Sequence, residues 1–178
     1  MEEELQLINY KAFVSYSHND ILIAKAIQHH LSSFYTFLYP FRRLNVFLDE
    51  NEILAGQKLT SSIERALVNS DNLIVLASKS SADSEWVSQE ISKWKSMQNK
   101  PDPLLILIEG QIEWDKSEKD FNSKKTEGVN PALYRIYEEE PLWIDLREAQ
   151  RMLEGNKRAL VDSKLPFRHQ LHRFPAQK

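Results

Sequence analysis

Trp86 and Glu90 stand four positions apart in the run Ser84–Glu90 (SEWVSQE), and Trp94 follows four positions later. On a helix at about 100° per residue, with Trp86 at zero, Glu90 falls at about 40°, Trp94 at about 80°, Val87 at about 100° and Ile91 at about 140°. The carboxylate therefore lies inside an apolar arc. There it loses hydration and needs a hydrogen-bonding or charged partner. Two structural roles are open to it: a first-turn glutamate favoured by the helix dipole, or one half of an ion pair. The third is a functional carboxylate in a partly dry site. Trp86 is either a core side chain or a flat face on which a ring can stack.

Other polar groups are less specific. The acidic stretch Asp49, Glu50 and Glu52 runs to Gly56, which is expected to supply a positive-φ turn. Its carboxylates lack the spacing and partners of a cation loop, so no metal is expected there. His29 and His30 lie in a helical stretch with one ring toward the apolar face. His169 and His172 sit one turn apart in a basic tail without further ligands. Only four glycines occur, and neither a Gly-x-Gly-x-x-Gly nor a phosphate-loop pattern is present.

These groups need elements to hold them. Four β-type runs are evident: 10–16 (YKAFVSY), 44–48 (LNVFL), 73–77 (LIVLA) and 104–108 (LLILI), with a weaker fifth at 142–146 (LWIDL). The middle three are nearly continuous apolar, as strands covered on both faces of a parallel sheet are. Between them, Ile23, Ala24, Ile27, Leu31 and Phe34 recur at helical spacing, as do Leu59, Ile63, Ala66 and Leu67, and then Val87, Ile91 and Trp94 before Pro101. Alternation of strand and helix predicts right-handed βαβ units. The fold class is α/β: an open, mostly parallel five-stranded sheet with helices on both faces, flavodoxin-like. Residues 109–130 read as a polar surface excursion, 130–137 as room for a short helix, and 147 onward as one or two helices.

The 178 residues suffice for one domain, and 42% apolar with 28% charged residues is ordinary for a globular protein. A net charge of −3 gives no reason to expect nucleic acid as a partner. The absence of cysteine excludes a disulfide scaffold, a thiolate metal site and a cysteine nucleophile. It also fits a cytoplasmic location. Glu2–Glu4 are acidic where a secretory signal would be basic. The longest apolar run, 103–108, falls short of the roughly 18 residues of a membrane span, so no membrane partner is expected.

Four pieces in series carry a family resemblance. Phe13–His18 (FVSYSH) resembles the first signature of TIR (Toll/interleukin-1 receptor) domains, an apolar strand running into Ser-Tyr. Val46–Asp49, the acidic loop to Leu54–Gly56, and Leu59-x-x-x-Ile63-x-x-Ala66 resemble the second. Ser70–Ser78 is similar to the third strand with its flanking serines, and Ser84–Glu90 to the Ser-x-Trp-x-x-x-Glu helix start. Glu139–Arg147 resembles the fifth-strand region of bacterial TIR modules. The resemblance places the TIR domain at 10–150, with 1–9 an extension before it and 151–178 a helical extension or the start of a linker. Many bacterial modules of this kind open longer proteins, and an ending that carries Phe167, Leu171 and Phe174 is expected of such a piece.

The resemblance implies a chemistry. Some TIR domains cleave NAD at the nicotinamide–ribose bond, and Glu90 matches the position of their catalytic glutamate. Nicotinamide would leave as a neutral molecule while a fixed carboxylate stabilises oxocarbenium character on the ribose. Trp86 would take the nicotinamide ring. Ser15, Tyr16, Ser17 and His18, at the carboxyl end of the first strand, would line the pocket, with Ser17 and His18 toward phosphate or ribose. Alternatively, His18, Asn19 or Asp20 caps the next helix. Asp49 would reach a ribose hydroxyl. Glu50, Leu54 and Gly56 belong to the loop through which copies associate. NAD is then substrate, and no cofactor is expected. The expected partners are other TIR domains and a fused sensor or effector module, in bacterial defence or signalling. The competing reading is an adaptor that pairs with other TIR domains and never touches NAD, and such a domain has no need of a glutamate in that arc.

Overall fold

The computed structural model describes residues 9–38, 44–49 and 61–155, with the side chains of 34–38 excepted. Phe34's side chain, Glu50, Leu54, Gly56, Leu59, His169, His172 and the two extensions, save for residues 9 and 151–155, lie outside the described residues.

A five-stranded parallel sheet forms the centre. Its strands are β1 (Ala12–Ser15), β2 (Val46–Leu48), β3 (Leu73–Ala77), β4 (Leu104–Leu107) and, last in the chain, β7 (Trp143–Asp145), in the order β2-β1-β3-β4-β7. All four pairings are parallel. The order reverses between β1 and β3, and in open α/β sheets the carboxyl ends beside such a reversal are where ligands bind.

Helices cover both faces. Alternate residues of each strand divide between two cores. Ala12, Val14, Ile74, Leu76 and Ile106 join Ile23, Ala24 and Ile27 of α1 (Ile21–Leu38) and Ala149 and Leu153 of α5 (Arg147–Gly155). Phe13, Leu73, Val75 and Leu105 join Ile63, Ala66 and Leu67 of α2 (Ser61–Val68) and Val87, Ile91 and Trp94 of α4 (Glu85–Ser96). A single turn, α3 (Lys79–Ala82), links β3 to α4.

The stretch 109–130 is more than a polar excursion. It carries an antiparallel pair, β5 (Trp114–Asp115) with β6 (Asp120–Phe121). Phe121, Val129 and Tyr137 are buried in the α2/α4 core, with Phe121 edge-on to Trp114 and to Tyr134. Two glycines close its base, Gly110 at φ +83° and Gly128 at φ +102°. A Cβ on Gly110 would lie 2.2 Å from the carbonyl oxygen of Glu127, so only glycine lets these strands of chain cross. A 3₁₀ turn at Pro131–Leu133 occupies the place expected for a short helix.

Candidate active site

The two faces decide what each residue at the carboxyl edge can do. Ser15 ends β1 with the parity of Phe13, so its side chain enters the α4 side of the sheet. It is 0% exposed, and its hydroxyl donates to Oε2 of Glu90 at 2.5 Å. Glu90 is 1% exposed on the second turn of α4. The indole N–H of Trp86, one turn earlier, donates to the same carboxyl.

Burial pushes the Glu90 carboxyl up to about 8, and the negative charge of Asp49 adds to the rise. The hydrogen bonds from Ser15 and Trp86 favour the ionised form but offset only part of the desolvation. At neutral pH the resting site therefore holds mostly the protonated acid. Its partners are two neutral donors, so it is neither a first-turn dipole glutamate nor, through these contacts, an ion-pair member.

Two further contacts fix α4. Ser84 caps it, accepting from the Val87 amide at 3.3 Å. Asn130, 1% exposed, clamps the cap: its amide donates to the carbonyls of Ser81, Ala82 and Ser84 at 2.9, 3.3 and 3.1 Å. Its carbonyl accepts from the Ser88 hydroxyl and the Ala132 amide. Sequence reasoning passes over Asn130 because none of these five partners is near it in the chain except Ala132.

The other expected residues are distributed around this centre. Tyr16 is buried on the α1 side, and its hydroxyl donates to the carbonyl oxygen of Asp49. That bond ties the exit of β1 to the exit of β2. Asp49 is 5% exposed. Ser17 is half-buried at the head of the 3₁₀ turn His18–Asp20 and makes no side-chain cap there. His18 is exposed, its ring parallel to Tyr16 at 6.2 Å. Trp86 is half-buried, whereas Trp94 is a core side chain, donating to the Pro101 carbonyl at 2.8 Å. The described structure thus brings Ser15, Trp86 and Glu90 into direct contact, with Asp49 close enough to act on the carboxyl, and leaves Ser17 and His18 at the rim.

Asp20, a candidate helix cap, is engaged elsewhere. Its carboxylate accepts from Ser78 at 2.6 Å and Ser80 at 3.1 Å across to the end of β3, and burial raises its pKa. An open groove of 560 Å³ at the ends of β4 and β7 is lined by Glu109, Arg147, Arg151 and Glu154 among others. It lies on the α1/α5 side, and Glu90 does not line it. Among the described residues no group of three or more His, Asp or Glu could hold a metal ion, and no helix is long and apolar enough to cross a membrane.

Comparison with known proteins identifies the family. The TIR domain family model matches residues 12–155. A protein of Actinoplanes sp. described as the NAD(+) hydrolase ApTIR is 36% identical over 144 residues, which is 80% of this chain and 20% of that protein. The chain thus spans about a fifth of that relative's length. The TIR domains of the activated Roq1 resistosome, a complex that recognises the pathogen effector XopQ, are similar at a TM-score of 0.42 and 22% identity, over 59% of this chain and 60% of theirs. With the family's match running from β1 to the end of α5, the chain belongs to the TIR domain family.

Proposed function

We propose that this domain consumes NAD, cleaving the glycosidic bond between nicotinamide and ribose, with Glu90 as the catalytic residue. The observation that carries the reading is Glu90 itself: a carboxyl group 1% exposed at the carboxyl edge of β1, held by Ser15 and Trp86. A purely structural position there would be filled at lower cost by an apolar side chain. The relative described as an NAD(+) hydrolase supports the same reading.

In the reaction the C–N bond breaks and its electron pair leaves with nicotinamide, which becomes neutral. The ribose carbon is left electron-deficient. Ionised Glu90 stabilises that charge in a site with little competing water. Water then adds to the carbon and releases a proton, giving ADP-ribose, or an internal nucleophile closes a cyclic product. Trp86 stacks on the nicotinamide ring, Asp49 reaches a ribose hydroxyl, and Ser17 with His18 lies toward the phosphates.

The buried, mostly protonated state of Glu90 fits a domain that is slow alone and activated by self-association through the loop of Glu50, Leu54 and Gly56. A fused sensor or effector module in a longer bacterial protein would supply the clustering, in defence or signalling. The test is nicotinamide release from NAD, followed by chromatography over a range of protein concentrations and with a clustering agent. Release per molecule is expected to rise with concentration. No release even under clustering makes the non-enzymatic interaction module the working answer.

A further inference from the structure

We propose that Ser15 is a positioning residue for Glu90, fixing the orientation of its carboxyl and favouring its ionised form, rather than a residue that meets substrate. The inference rests on the NAD-cleavage reading, but its physical basis is independent of it. Ser15 sits at the end of β1 in the layer of Phe13, opposite Val75 of β3, and is 0% exposed. A hydroxyl in an apolar layer is costly unless bonded, and alanine or valine would pack there without one. Its side-chain bond runs to Oε2 of Glu90 at 2.5 Å, across 75 positions of chain.

The contact does two things. The terminal torsion of a glutamate is soft, so a donor anchored in the sheet fixes a carboxyl plane that the helix alone would leave free. Donation to an oxygen of the carboxylate also favours loss of its proton, against the burial and the Asp49 charge that oppose it. Other groups around α4 do not substitute for it. Trp86 donates from Glu90's own helix, so it moves with that helix. Lys93 is paired with Glu64 of α2 at 3.6 Å and half-exposed, and Asn130 is engaged by the helix cap and Ser88. Ser15 alone among these ties the carboxyl to the sheet.

Ser15→Ala tests this through two readouts. First, carboxyl-carbon NMR follows the titration of Glu90 in the parent and the variant without any turnover. Loss of a hydrogen bond to a charged group is expected to move the midpoint up by about one pH unit. Second, the pH profile of nicotinamide release is expected to shift upward by the same amount. kcat would then fall by about tenfold at neutral pH and partly recover in alkali, with KM little changed. Ser15→Cys, a similar shape with a weaker donor, is expected to fall between the two and serves if the alanine variant does not fold. An unmoved Glu90 titration overturns the proposal, even in an active domain. A shifted titration with an unshifted activity profile also overturns it, since Ser15 would then be structural only. A domain that releases no nicotinamide at all refutes the NAD reading, while the titration still decides the Ser15–Glu90 contact.

Discussion

Glu90→Gln is expected to make the domain more stable than its parent at alkaline pH, with the advantage vanishing in mild acid. The folded carboxyl titrates at about 8 against an ordinary value of 4.5. Between those values the native state keeps a proton that the unfolded chain gives up. Stability from this group is therefore full below the unfolded value, is lost as pH rises toward the folded one, and flattens beyond it. Over the whole window the loss is about 5 kcal/mol, from a slope of about 1.4 kcal/mol per pH unit. The amide of the variant carries no such penalty, and its carbonyl still accepts from Ser15.

The measurement is denaturant unfolding of parent and Glu90→Gln from about pH 5 to pH 8.5, compared as a difference. Asp20, whose pKa burial also raises, contributes the same sign in both proteins and cancels. A difference that stays flat with pH would mean that Glu90 is solvated and ionised in the resting domain, contrary to its burial.

The second large effect separates the two tryptophans. Trp94 is 1% exposed, its N–H bonded to Pro101 and its ring 4.7 Å from the Lys100 ammonium. Trp94→Ala is expected to cost about 3–5 kcal/mol, a large part of the stability of a domain this size. The half-buried Trp86 is expected to show the opposite balance. Trp86→Ala removes the stacking face and one donor to Glu90, lowering nicotinamide release about tenfold or more while the midpoint of thermal unfolding moves by only a few degrees. Equal loss of stability in the two variants would make Trp86 a core residue.

Much of the fold is legible in the sequence because burial writes it plainly. Leu73–Ala77 and, past the exposed Leu104, Leu105–Leu107 are strand residues buried on both faces, and their continuous apolar runs are too short for helices of a domain core. The first strand is shorter than its run: Tyr10 makes only an isolated bridge to Ser70, and Tyr16 lies past the end of β1. The β5–β6 pair escapes sequence reading because two-residue strands leave no periodicity, and Trp114 and Phe121 meet only through a turn.

At the site, helical angles place Glu90 correctly within an apolar arc. They do not reveal its partner. Strand parity from Phe13 already points Ser15 toward α4, yet only the register of helix against sheet shows that the two side chains meet. Asp20 with Ser78, and Asn130 with the α4 cap, are likewise pairs made by topology, 58 and 46 positions apart.

The most direct measurement of the central claim is nicotinamide release by the parent and by Glu90→Gln, clustered to the same degree and both verified folded by their melting. Removal of the group that stabilises the developing charge is expected to slow release by on the order of 10³. Equal rates in the two proteins would contradict the assignment of Glu90 and, with it, the proposed reaction at this site.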